Sequence, residues 1–214
     1  MKTKLLPLLF LLLFAAYSQA QPHFAGFEME LGSSMFINKR VRDVFPAGIN
    51  FSIGPKWALD MNEQLFLKGV LGTKWYMQKL PDDYLEHLGT VRIGPEFQYR
   101  FPVSNYVTLS PTLKVDYVWC TNFDTEGGIY DAFNDEPAYV LAERYMRGWG
   151  IGTELGMKIA FREKWFIRLS YEMLNVRFKI LNSDLQGDLG KDYIDRRHKS
   201  FELSTLNLTF GINF

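Results

Sequence analysis

About eight stretches of this chain alternate apolar and polar residues with a period of two, and no convincing helical period interrupts them. Successive side chains on a strand point to opposite faces, so the pattern predicts strands and argues against a parallel βαβ architecture. The stretches are Phe24–Ile37, Phe45–Trp57, Gln64–Met77, Leu88–Phe101, Tyr106–Trp119, Met146–Phe161, Lys164–Leu181 and Ser200–Phe214. Each is at least as long as the roughly 9 to 11 residues that a tilted strand needs to cross a bilayer.

The connections alternate as well. Short links follow the second, fourth and sixth stretches (58–63, 102–105 and 162–163). Longer ones follow the odd stretches (38–44, 78–87, 120–145 and 182–199). Short turns at one end and long loops at the other are the asymmetry of an outer-membrane barrel, with the turns periplasmic and the loops outside.

One parity of the strands carries charge. It holds Glu28, Glu30, Lys56, Lys68, Lys74, Arg92, Glu96, Arg100, Lys114, Asp116, Glu154, Lys158, Arg168 and Glu172, eight basic and six acidic residues interleaved with glycines. An eight-stranded lumen is only wide enough for side chains, and a charge buried there is costly unless paired. Near-balanced signs and small neighbours predict an interior filled by ion pairs. A solvated outer face of a soluble sheet would also be charged, but it needs neither balance nor glycine.

Alternation by itself does not separate a membrane barrel from a soluble one with its greasy face inward. Trp57, Trp75, Trp119, Trp149 and Trp165 all have the apolar parity and all fall at or near predicted strand ends. That is the arrangement of interfacial girdles, because indole sits best where hydrocarbon meets headgroups. Pro55, Pro95 and Pro111 remove ladder donors and predict bulges or local breaks.

The two ends of the chain agree with this reading. Residues 1–20 have Lys2 and Lys4, an apolar run Leu5–Ala16 and Ser18-Gln19-Ala20, the pattern of a cleaved export signal, which leaves 21–214 as one barrel domain. The apolar run is too short to span a bilayer. In the last strand Leu206, Leu208, Phe210, Ile212 and Phe214 share one face and Thr205, Asn207, Thr209, Gly211 and Asn213 the other. With Lys+Arg 24 against Asp+Glu 24 there is no basic excess to suggest nucleic acid. The single cysteine, Cys120, excludes an intrachain disulfide and reads as a small apolar filler.

The terminal strand ending in Phe resembles the C-terminal recognition strand of outer-membrane barrels, which marks Phe210, Ile212 and Phe214 as an assembly signal. Together with Gly48-Ile49-Asn50-Phe51-Ser52, the Gly-Pro strands and Gly211–Phe214, it resembles small Gram-negative outer-membrane β-barrel proteins, the PorT-like group in particular, with OmpA- and OmpX-like barrels more distant. The resemblance implies an eight-stranded antiparallel up-and-down transmembrane barrel. It also implies a structural role or an accessory role in a secretion or assembly complex, with lipid, lipopolysaccharide and the barrel assembly machinery as partners. Fold does not fix function within such families.

Two other functional readings are open. His198, Ser200 and Glu202 share the outward parity near the outer end of the last strand, which resembles lipid A deacylases of PagL type; Phe201 stands where that family has Asn. The alternative is a basic rim of Arg196, Arg197, His198 and Lys199 facing lipopolysaccharide phosphates. A narrow channel is the other reading. In loop 120–145, Asp124, Glu126, Asp131, Asp135, Glu136 and Glu143 accompany Phe123, Tyr130, Phe133 and Tyr139, a composition suited to a protein partner as well as to a solvated loop tip. Neither a metal-spaced cluster of His and Cys nor a phosphate-binding glycine loop is present, so no cofactor is expected.

Overall fold

The period-two stretches form strands in a computed structural model, which describes residues 22–79, 85–124, 146–180 and 199–214. In chain order the elements are β1 (His23–Phe36), α1 (Lys39–Val44), β2 (Gly48–Ala58), β3 (Leu65–Lys79), β4 (Leu85–Tyr99), β5 (Phe101–Pro102), β6 (Val107–Asp124), β7 (Met146–Phe161), β8 (Trp165–Ile180), β9 (Lys199–Glu202) and β10 (Thr205–Asn213). Every pairing is antiparallel. β5 continues the ladder of β4 on β6 in the same register, and β9 continues that of β10 on β8, so the sheet has eight staves. β10 pairs with both β8 and β1, and this closes the barrel.

Followed from partner to partner around the sheet, Gly26 leads to Lys56, Lys68, Glu96, Lys114, Glu154, Glu172, Thr205 and back to β1 at Phe36, ten residues further on. A stagger of ten over eight strands tilts them by about 40° from the barrel axis. The stagger also decides which side chains meet, because the same circuit threads six charged residues onto one row.

Several strands reach further toward the loop end than their alternation indicated. β6 runs to Asp124, so the upper boundary predicted at Trp119 moves outward by five residues, and β3 and β4 extend to Lys79 and Leu85. The first long connection contains the one-turn helix α1, too short to leave a period in the sequence. Each proline interrupts a ladder without shifting its register. The β2–β3 pairing skips from Ile53↔Leu71 to Lys56↔Lys68, and β4–β6 skips from Ile93↔Tyr117 to Glu96↔Lys114. The β4–β6 ladder stops at Gln98↔Thr112 and resumes as β5–β6 at Phe101↔Leu109, past Pro111. The register shift lies elsewhere, at Ala25 between Phe24 and Gly26. Gly26 has φ +107°, and a Cβ there would lie 2.0 Å from the Phe214 carbonyl oxygen.

The short turns are tightly built. Asp60 Oδ1 accepts the amides of Gln64 at 2.9 Å and Leu65 at 2.7 Å. Lys164 N donates to Phe161 O across Arg162 and Glu163, both at positive φ, as a two-residue hairpin turn of the twist-matching kind requires.

Candidate functional site: the charged lumen

Inward and outward parity separate sharply. The outer face exposes residues such as Leu31, Ile49, Phe51, Leu71, Ile93, Leu113, Ile151, Leu155, Leu169 and Leu208. Trp75, Trp119, Trp149 and Trp165 are exposed on it, and Trp57 is half-buried against Phe24, with ring centroids 6.3 Å apart. Trp57 and Trp165 lie at the turn end; Trp75, Trp119 and Trp149 lie at the loop end, where Trp119 and Trp149 are direct partners. From Leu67, opposite Trp57, to Trp75 is about 20 Å along the barrel axis. From Phe161, opposite Trp165, to Trp149 is about 30 Å, at roughly 3.3 Å per residue and a 40° tilt. Those spans bracket the apolar band of about 25 Å typical of such barrels. Phe210 and Phe214 are exposed, Ile212 is half-buried, and Phe210 stacks on Trp165 with centroids 5.4 Å apart.

The lumen holds the charges. Among the described residues Glu28, Glu30, Glu96, Asp116, Glu154 and Glu172 are buried there with Lys56, Lys68, Lys74, Arg92, Lys114, Lys158 and Arg168, six carboxylates and seven cations. Arg100 sits at the turn-end mouth, paired with Glu163. In the turn half, Lys68 donates to Glu28 at 2.8 Å and Glu30 at 2.6 Å, while Lys158 pairs with Glu28 and Lys56 lies 3.6 Å from it. In the loop half, Glu172 accepts from Arg92 at 2.6 Å and Lys74 at 2.5 Å. Lys114 reaches Glu154 at 2.6 Å and Asp116 at 3.3 Å. Arg168 joins the halves: its guanidinium contacts Glu96 at 2.6 Å, Glu30 at 2.8 Å and Glu154 at 3.3 Å. Each carboxylate is thus met by at least one cation, the condition for tolerating buried charge.

Neutral polar groups complete the network. Gln98 Nε2 donates to Glu96 at 2.7 Å, Thr209 Oγ1 to Glu30 at 3.0 Å and Thr205 Oγ1 to Glu172 at 3.0 Å, while Lys74 donates to Asn207 Oδ1 at 2.7 Å. These residues share the charged parity, and that parity is the signal that finds them. Two carboxylate triplets, Glu28/Glu30/Glu96 and Asp116/Glu154/Glu172, have oxygens close enough for a hard cation. Their own basic neighbours stand between them instead: Lys68 touches two members of the first, and Arg92 touches two of the second.

At the loop end the inward positions turn apolar. Phe36, Tyr76, Leu88, Val118, Cys120, Leu174, Val176 and Leu203 form a buried cluster, joined by Phe45 and flanked by Val41 of α1. Phe36 and Tyr76 stack with centroids 4.3 Å apart, and Ser34 Oγ donates to the Tyr76 hydroxyl at 2.8 Å. At the turn end Lys158 lies 3.8 Å above the Phe166 ring, and a Cβ at Gly211 would sit 2.1 Å from that ring. The lumen is therefore stoppered by apolar side chains over an ion-pair network. It keeps an opening of about 130 Å³ at the turn-end mouth between Lys56, Gln98, Arg100 and Lys158.

The alternative catalytic set falls only partly within the described residues. His198 lies outside them, Ser200 stands in β9 opposite Arg177, and the exposed Glu202 accepts a hydrogen bond from Ser204 Oγ at 3.3 Å. Residues 1–20, read as an export signal, together with Gln21 and residues 125–145 of the acidic loop, also lie outside the described residues.

A closed antiparallel barrel with its charges paired inside and its apolar side chains turned out between two tryptophan levels is a transmembrane β-barrel. The chain belongs to the outer membrane protein β-barrel domain family, whose profile matches residues 6–214. Among solved structures it is similar to a major outer membrane protein of Thermus thermophilus, at 15% identity and TM-score 0.50, covering 90% of this chain and 100% of that one. It is also similar to the N-terminal β-barrel domain of Pseudomonas aeruginosa OprF, at 13% identity, TM-score 0.48 and 91% and 100% coverage. Neisserial surface protein A matches at 13% identity, TM-score 0.48 and 90% and 99% coverage. No curated protein sequence matches the chain.

Proposed function

We propose that this protein is a non-enzymatic outer-membrane barrel that acts as an interaction or accessory subunit of an outer-membrane complex, of the secretion or assembly kind found among PorT-like barrels. The observation that carries this reading is the filled lumen: among the described residues the barrel has no through-path and no enclosed substrate site, which leaves its wall and its loops with which to act. Loop 120–145, acidic and aromatic, is the surface we assign to the partner. Residues 1–20 direct export, Phe210, Ile212 and Phe214 engage the barrel assembly machinery, and the five tryptophans seat the wall in lipid, with lipopolysaccharide outside.

The test is cross-linking in intact cells followed by purification of the barrel from outer membranes. A partner recovered with the natural barrel, and lost when residues 125–145 are replaced by a short turn in a barrel that still folds, supports the assignment. Recovery of the barrel alone overturns it. Deacylation of lipid A by purified protein, abolished by Ser200→Ala, would establish the enzymatic alternative instead.

A further inference from the structure

We propose that the turn-end mouth of the lumen binds a small monovalent carboxylate from the periplasmic side, held by Lys56 and the hydroxyls of Thr108 and Ser110. The opening there measures about 130 Å³, room for several water-sized groups, and Ala25, Phe66 and Ala160 give it an apolar side. Lys56 lines it and is the cation the ion-pair network leaves over. Each of the other six buried cations contacts a carboxylate more closely, whereas Lys56 lies 3.6 Å from Glu28, which Lys68 and Lys158 already bind. Its ammonium donates instead to a neutral group, Asn213 Oδ1, at 2.9 Å.

Thr108 and Ser110 stand two residues apart on the lumen parity of β6, are 6% and 5% exposed, and line the same opening. Neither hydroxyl has a hydrogen-bond partner among the described residues, and neither oxygen is sealed in protein, so both meet the opening. The other polar groups of the mouth are engaged. Gln98 donates to Glu96 at 2.7 Å, Asn213 Nδ2 to Glu163 O at 2.5 Å, Arg100 pairs with Glu163, and Glu63 meets His23 at 3.0 Å. Two hydroxyl donors and one surplus ammonium remain, and together they suit an acceptor with a single negative charge. A carboxylate meets that charge, which a phosphate or sulfate dianion would exceed. The apolar side takes a short alkyl substituent. Because the mouth is open, the carboxylate can belong to a free acid or to the end of a peptide chain.

The test is a titration of the purified, refolded barrel in detergent micelles at constant pH and ionic strength, read on its backbone amide resonances. Propionate should give saturable shifts centred on Lys56, Thr108 and Ser110, and propionamide none. Lys56→Gln should raise the dissociation constant about tenfold or more. Thr108→Val should weaken binding severalfold without changing any charge, which diffuse attraction to a cationic mouth would not do. Should Lys56→Gln fail to fold, Thr108→Val and the comparison of propionate with propionamide on the natural protein decide. N-acetyl-alanyl-alanine with a free carboxylate, binding as propionate does while its amidated form does not, assigns the site to a chain end; propionate binding alone assigns it to a free acid, and either supports the site. Shifts that grow without saturating, that propionamide reproduces, or that Lys56→Gln leaves unchanged overturn the proposal, as does saturation by inorganic phosphate but not by propionate.

Discussion

Arg168 and Glu154, 3.3 Å apart on the neighbouring strands β8 and β7, join the turn-half and loop-half ion-pair clusters into one network. The same guanidinium holds Glu96 at 2.6 Å and Glu30 at 2.8 Å, so three carboxylates from three other strands depend on one side chain. Arg168→Met leaves Glu96 with Gln98 as its remaining hydrogen-bond donor. The expected loss is about 3–5 kcal/mol, read as a fall in the urea midpoint for unfolding from lipid. Arg168→Met combined with Glu96→Gln should regain part of it. Arg168→Lys should not restore the natural value, because a compact ammonium lacks the planar fork with which the guanidinium spans carboxylates on three different strands.

The barrel is closed at its seam by a terminal pair: Phe27 N donates to Phe214 O at 3.2 Å, and Phe214 N donates to Phe27 O at 2.8 Å. Deleting Phe214 removes both bonds, a stability loss of only about 1–3 kcal/mol. Replacing it by Asp keeps the backbone pair but puts a charge on an outward position. Both variants should be exported normally yet yield much less folded, heat-modifiable barrel in the outer membrane. Normal insertion of either would refute the role we give the terminus.

Gly26 is required by the same seam. Its φ of +107° and the Phe214 carbonyl 2.0 Å from an added Cβ leave no room for a side chain. Gly26→Ala should cost about 1–3 kcal/mol or more, whereas Gly69→Ala, whose added Cβ meets its nearest atom at 3.9 Å, should cost much less. Urea unfolding of the pair checks the contrast.

The placement of tryptophan predicts a depth profile. Trp57 and Trp165 at one level and Trp75, Trp119 and Trp149 at the other should be quenched more by lipids brominated near the headgroup than by lipids brominated at the chain end. Stronger quenching from the chain end would contradict the girdle.

Much of this was legible in the sequence because a strand has a rigid period. The parity holding Glu28, Lys68 and Arg168 is fixed by the pleat, and all three are buried. The pairs themselves were not legible: Glu28 and Lys158 are 130 residues apart and meet only because of the ten-residue stagger, which pairing register sets and composition does not. The apolar stopper was hidden for another reason. Val118, Cys120, Leu174 and Val176 face inward while their outward neighbours are mixed, Tyr117, Trp119 and Met173 apolar but Thr121, Asn175 and Arg177 polar, so the polar-in, apolar-out pattern breaks where the stopper lies. The helix α1 is a single turn, and one turn leaves no periodicity to detect. The break in the last strand at Leu203 and Ser204 went unmarked because their neighbours keep the same register on β8 on both sides of it.

The central claim is that ion pairs and an apolar stopper fill the lumen, and planar-bilayer recording of the purified, refolded protein tests it most directly. The account predicts a silent bilayer across the physiological voltage range, both for the natural protein and for Tyr76→Ala, in which the charged network still blocks the path beneath the thinned stopper. Stable, reproducible single-channel steps from the natural protein would contradict it.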